Sequence, residues 1–142
     1  MYLLDTCVVS ALRRSDRADP NVLTWAKSVS VVEQYLSAVS ILELEQGVLA
    51  QERKDAAQGR VMREWLDGIV RPHFAGRIVP FDEQVALCCA YLHVPNPKSY
   101  RDSMIGASAL TRGLTVVTRN TADFIRMVDS RGGAIKLHNP WI

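Results

Sequence analysis

A chain of 142 residues, 48% apolar and 23% charged, has the size of one domain and enough apolar side chains to bury a core without disulfides. That balance excludes a disordered chain. No apolar run reaches membrane-spanning length and Asp5 interrupts the only apolar N-terminus, so neither a span nor a signal peptide is expected and the expected address is the cytoplasm. A net charge of +2 permits a nucleic-acid partner without demanding one.

In chain order, Tyr2, Leu3 and Leu4 form a short apolar run that reads as a buried strand. It stops at Asp5, which is placed to cap a segment carrying Val8, Val9 and Leu12 at helical spacing. A polar turn leads to Asp19-Pro20, an N-cap followed by a first-turn proline, which opens a helix through Trp25. Residues 35–39 are the next strand. Ser40 and Glu43 then have the spacing of a capping box, so a helix is expected to start there and to turn Ile41, Leu44, Val48 and Leu49 inward. Asp55 is expected to cap a long helix with Val61, Met62, Trp65, Leu66 and Ile69 at helical spacing, ended by Pro72. A short strand over 77–80 follows, then a helix capped by Asp82 and a loop with two prolines over 94–100. The helix over 99–112 stops at Gly113, the residue favoured past a C-terminus. Residues 114–118 are the clearest strand, rich in β-branched side chains. A short helix over 121–127 and a last strand over 134–137 complete the chain.

Strands alternating with helices predict an α/β fold: one domain over 1–142, with a central, mostly parallel sheet flanked by helices on both faces. Such sheets bind ligands beyond the carboxyl ends of their strands. Asp5 and Asp123 follow strands, and Glu43 opens the helix after a strand, so all three belong on that rim. Asp102 joins them if its helix runs antiparallel to the sheet. It shares a helical stripe with Ile105, Gly106 and Ala109, so it points inward, and an inward carboxylate needs a positive partner. Each acid also has an ordinary explanation as a helix cap or a first-turn charge.

Four acids in one crevice repel one another, and a divalent cation is the simplest way to keep them ionised. Three cysteines without C-x-x-C spacing and three scattered histidines make neither a disulfide framework nor a zinc site, so the cation would be held by oxygen and would be Mg²⁺ or Mn²⁺. The chemistry that follows is phosphodiester hydrolysis by a metal-activated water. Thr118 and Asn120 are placed to hydrogen-bond the acids or that water, and Arg101 and Arg119 to hold substrate phosphates. No adjacent acidic pair stands at a strand end, as a receiver domain would need. Cys7 occupies the second place of the Asp-x-Asp a dehalogenase-type phosphatase would need.

At these residues the sequence resembles the PIN-domain ribonucleases, and more closely the VapC/FitB-like toxins of bacterial toxin–antitoxin pairs. The likeness runs through Met1-Tyr2-Leu3-Leu4-Asp5-Thr6-x-Val8-Val9-Ser10, Ser40-x-x-Glu43-Leu44-x-x-Gly47, Asp102-x-x-Ile105-x-Ala107-x-Ala109 and Gly113-Leu114-x-x-Val117-Thr118-Arg119-Asn120-x-x-Asp123-Phe124. It implies Mg²⁺ or Mn²⁺ at Asp5, Glu43, Asp102 and Asp123, supported by Thr6, Thr118 and Asn120, and endonucleolytic cleavage of RNA. It also implies a homodimer inhibited by a VapB/FitA-like antitoxin whose tail occupies the acidic crevice. One departure stands out: the family carries Asn two residues after its first Asp, and this chain has Cys7. The alternative is a PIN scaffold that acts by binding an antitoxin or RNA with little catalysis.

Overall fold

The computed structural model describes residues 1–142. Five parallel strands, β1 (Tyr2–Leu4), β2 (Gln34–Ser37), β3 (Ile78–Val79), β4 (Thr115–Val117) and β5 (Lys136–His138), form one sheet in the order β3-β2-β1-β4-β5. The chain winds outward from β1 through β2 to β3, then returns to the other side of β1 for β4 and β5. The order therefore reverses between β1 and β4, the place where parallel sheets open a crevice at their carboxyl edge. Leu4 is in register with both Leu36 and Val117, so Asp5 and Thr118 leave adjacent strands side by side.

Alternation along the strands divides the interior in two. Leu3 and Val116 face a core built with α6 (Glu83–Leu92) and α7 (Tyr100–Arg112). Leu4, Leu36 and Val117 face a second core built with α1 (Thr6–Leu12), α2 (Pro20–Ser28), α3 (Ala38–Lys54) and α4 (Ala56–Trp65), together with the turns that follow α4. Helices thus cover both faces, and the sheet is parallel throughout. No helix is long and apolar enough to cross a membrane.

Several local expectations are corrected. Strand β2 passes into α3 without a loop, because Ser37 caps the helix by accepting from the Val39 N–H at 3.0 Å. Ser40 is consequently a buried helical residue rather than a cap, and Glu43 lies in the second turn rather than in a capping box. Leu49 sits past the buried stripe of Leu44 and Val48 and is exposed, as are Val61 and Ile69. Pro72 does not end its helix. The backbone widens into a π turn over Leu66–Val70, with the Arg71 N–H reaching back to Leu66, and continues as α5 (Arg71–His73). The wider turn relieves the clash a proline ring makes with the carbonyl four residues earlier.

Beyond β4 there is only a 3-10 turn, Thr121–Asp123, and not a helix to residue 127. The segment is pinned instead by Phe124 and Met127, both buried in the first core. The Asp129 carboxylate accepts from the N–H groups of Arg131 and Gly133, which shapes a turn and delays the last strand to Lys136.

Candidate active site

Asp5 is fully buried at the end of β1. Its backbone N–H continues the ladder to the Val117 carbonyl at 2.9 Å, which fixes its height on the rim. One carboxylate oxygen caps α1 by accepting from the Thr6 N–H at 2.8 Å; the other accepts from the Thr118 hydroxyl at 2.8 Å, across the gap between β1 and β4. The ordinary role as a cap and the expected role in a site are thus played by one side chain. Thr118 is itself held by the Asn120 N–H, 3.0 Å from its hydroxyl oxygen.

Glu43 reaches the same place from α3. The Thr6 hydroxyl donates to its Oε1 at 2.8 Å, and that hydroxyl also lies 2.8 Å from Ser40 Oγ. Asp102 arrives from the first turn of α7. What joins the three acids is Arg101. Its Nε donates to Glu43 at 2.6 Å, its Nη1 to Asp102 at 2.7 Å and its Nη2 to Asp5 at 2.6 Å. One guanidinium therefore binds three carboxylates from three elements, one per nitrogen. Burial opposes the charged guanidinium, but the hydrogen bond to Glu43 and the charge of Asp5 outweigh it and raise its pKa above the ordinary arginine value. For Asp102, burial dominates in the other direction. It pushes the carboxyl upward against the pull of Arg101, helped by the charges of Asp123 and Asp5.

Asp123 stands apart from this cluster. It is exposed, and with Asp102 it lines a cavity of about 240 Å³ that also includes Lys98, Ser99 and Arg126. Asn120 contributes its backbone N–H to Thr118 and makes no side-chain hydrogen bond to an acid. Arg119 lies over the Trp141 ring, 5.4 Å from its centroid, rather than over the acids. The expected phosphate ligand Arg101 is engaged by the acids themselves.

Sequence reasoning missed Ser40 as a buried neighbour of Thr6, and missed Lys98 and Arg126 at the cavity. Ser40 was hidden by its capping-box spacing. Arg101 had a signal, because an inward Asp102 demanded a cation and the adjacent residue carried one. Cys7 sits 3.7 Å from Asp5 Oδ2 and 3.7 Å from the Thr118 hydroxyl. Burial raises its pKa, partly offset by the Arg119 backbone N–H and reinforced by the Asp5 charge, which disfavours the thiolate.

The PIN domain family model matches residues 2–129. The chain belongs to the PIN domain family. Among relatives of this PIN domain, Toxin FitB of Neisseria gonorrhoeae is 34% identical, with the match covering 99% of each chain. VapC ribonuclease Y4jK of Sinorhizobium fredii is 32% identical over 99% of this chain and 98% of its own. The crystal structure of FitAcB from Neisseria gonorrhoeae superposes with a TM-score of 0.85 at 34% identity, covering 99% of both chains.

In kind, the donor set of this PIN domain suits a hard divalent cation: carboxylate oxygens only, drawn to one point of positive charge. In arrangement, no three of its Asp, Glu, His and Cys side chains stand as a ready cage. The acids are spaced for a guanidinium, whose central carbon lies roughly 4 Å from the oxygens its nitrogens hold, against about 2.1 Å for Mg²⁺–O.

Proposed function

We propose that this PIN domain is a Mg²⁺- or Mn²⁺-dependent endoribonuclease, the toxin of a toxin–antitoxin pair. The observation that carries the reading is the meeting of Asp5, Glu43 and Asp102, from sequence positions far apart, around one positive charge at the sheet's reversal point. Three carboxylates carry more negative charge than one guanidinium offsets, so the place favours a cation of higher charge. The relatives named as a toxin and a ribonuclease support the same reading. A solved assembly of FitAB on a DNA fragment, 31% identical with a TM-score of 0.85, supports a VapB/FitA-like antitoxin as partner, and a homodimer is proposed on the family's pattern.

Asp5, Glu43 and Asp102 would hold the cation, with Asp123 across the cavity. When bound, it supplies an acidified water and charge stabilisation for the leaving oxygen. The protein's own part is positional. Thr118 and the Thr6 N–H fix the two oxygens of Asp5, and the Thr6 hydroxyl fixes Glu43. Lys98 and Arg126, at the edge of the cavity, draw the RNA phosphate toward it. Burial disfavours the Cys7 thiolate, so water is taken as the attacking group.

The test is cleavage of defined single-stranded RNAs with Mg²⁺, with and without EDTA, beside Asp5→Asn. Cleavage that stops on chelation and in Asp5→Asn is expected. Wild type that cuts no faster than Asp5→Asn, while an antitoxin still binds, would instead favour the interaction-module alternative.

A further inference from the structure

The sequence suggests Arg101 as a phosphate ligand, yet all three of its nitrogens are taken by the acids, at 2.6–2.7 Å. Asp5 is fully buried, and an unpaired buried carboxylate is strongly disfavoured. Without a divalent cation, these acids therefore need a charge from the protein, and Arg101 supplies it. A divalent cation needs the same oxygens at about half the distance the guanidinium keeps, so the two cannot occupy the acids together. Arg101 also has a way out: its side chain is 34% exposed and springs from the first turn of α7, whereas Asp5 has no exposure at all.

We propose that Arg101 is an internal counter-ion that occupies the three acids in the cation-free protein and is displaced when a divalent cation binds. The inference rests on the cation-dependent reading of the same acids and adds how the site is kept closed to stray metal. Arginine holds the acids in the geometry of the folded rim. The cation must win them from it, so the affinity of the wild type is lower than the donor set alone would give.

The experiment is Mn²⁺ binding, read as the EPR signal of free Mn²⁺, on wild type, Arg101→Met, Arg101→Lys and Asp5→Asn, with the melting temperature of each protein in EDTA and in saturating Mn²⁺. Arg101→Met is expected to bind Mn²⁺ about tenfold more tightly than wild type, a gain no merely structural defect produces. Its melting temperature should fall in EDTA and approach that of wild type in Mn²⁺. Methylguanidinium should weaken Mn²⁺ binding to Arg101→Met competitively. If Arg101→Met does not fold, Arg101→Lys carries the test, because a compact ammonium lacks the planar fork that meets the three acids through three separate nitrogens, and tighter binding than wild type is again expected. Equal or weaker binding by the folded variant overturns the proposal. If wild type binds Mn²⁺ and Asp5→Asn does not, that failure belongs to the counter-ion proposal alone. If no protein binds Mn²⁺, the cation-dependent reading falls and takes this one with it.

Discussion

Two arginines in this molecule each gather three acids, and they do so in opposite settings. Arg101 binds Asp5, Glu43 and Asp102 at the rim, and Arg63 binds Glu45, Glu52 and Asp67 on the outer surface of α3, α4 and the turn after α4. The two arginine side chains are similarly exposed, at 34% and 27%. Their acids are not: those of Arg101 are 0, 26 and 17% exposed, whereas those of Arg63 are 41, 37 and 42%. Hydrated acids gain little from pairing, so the Arg63 group braces neighbouring turns of one helical layer. An acid removed from water, as Asp5 is, must be compensated, and the proposed cation would meet the same requirement that Arg101 meets here. The carboxylates' solvation, not the number of charges, separates the two groups.

The comparison can be sharpened first at the groups that hold the buried acids. Thr118→Val keeps the shape and removes the hydroxyl that Asp5 accepts from. We expect a loss of about 10–100-fold in RNA cleavage and roughly 1–3 kcal/mol in stability. Urea unfolding and initial rates measure both, and a variant with wild-type kinetics would deny Thr118 its positioning role. A smaller effect, of opposite sign, is expected at Cys7. Its thiol is a weak donor to Asp5 at 3.7 Å, and Cys7→Asn offers a stronger one, so cleavage should rise by less than about tenfold. An unchanged or lower rate would show that the thiol is already adequate.

The smallest effect is in stability against pH, and its sign differs between the two groups. Hydrogen bonding to Arg63 holds Glu45 below its ordinary 4.5, so its stabilisation is present above that value and is lost as pH falls through the lower folded-state value. Burial pushes Asp102 above its ordinary 3.8, so its ionised form costs the folded state at neutral pH, and the cost is relieved as pH falls from the raised value to 3.8. In EDTA, Asp102→Asn should therefore stabilise the protein at pH 7. Glu45→Gln should slightly destabilise it there and flatten the decline in acid. Urea titrations at pH 3 to 7 read both slopes, and slopes of the same sign would erase the distinction.

The rim was legible in the sequence wherever placement follows from strand ends. Leu3 and Leu4 alternate between the two cores, and that alternation leaves Asp5 beside Thr118 at the reversal point. The helical stripe of Ile105, Gly106 and Ala109 is buried, and Asp102 at its start is half-buried against Arg101. Other features lay beyond local pattern. Ser37 and Ser40 both have the chemistry of a cap, and only the strand length imposed by pairing with Ile78 and Val79 decides for Ser37. Pro72 reads as a terminator because sequence spacing does not reveal a π turn. Charge balance demanded a cation beside the acids, but it could not distinguish an arginine one residue from Asp102 from an ion out of solution.

The most direct measurement neutralises each group in full and assays the two variants side by side for Mg²⁺-dependent RNA cleavage. The Asp5→Asn, Glu43→Gln, Asp102→Asn variant should retain no activity above background, whereas the Glu45→Gln, Glu52→Gln, Asp67→Asn variant should keep a rate within about twofold of wild type, as surface pairs contribute little. Comparable rates in the two would contradict the claim that the acids at the rim are the catalytic ones.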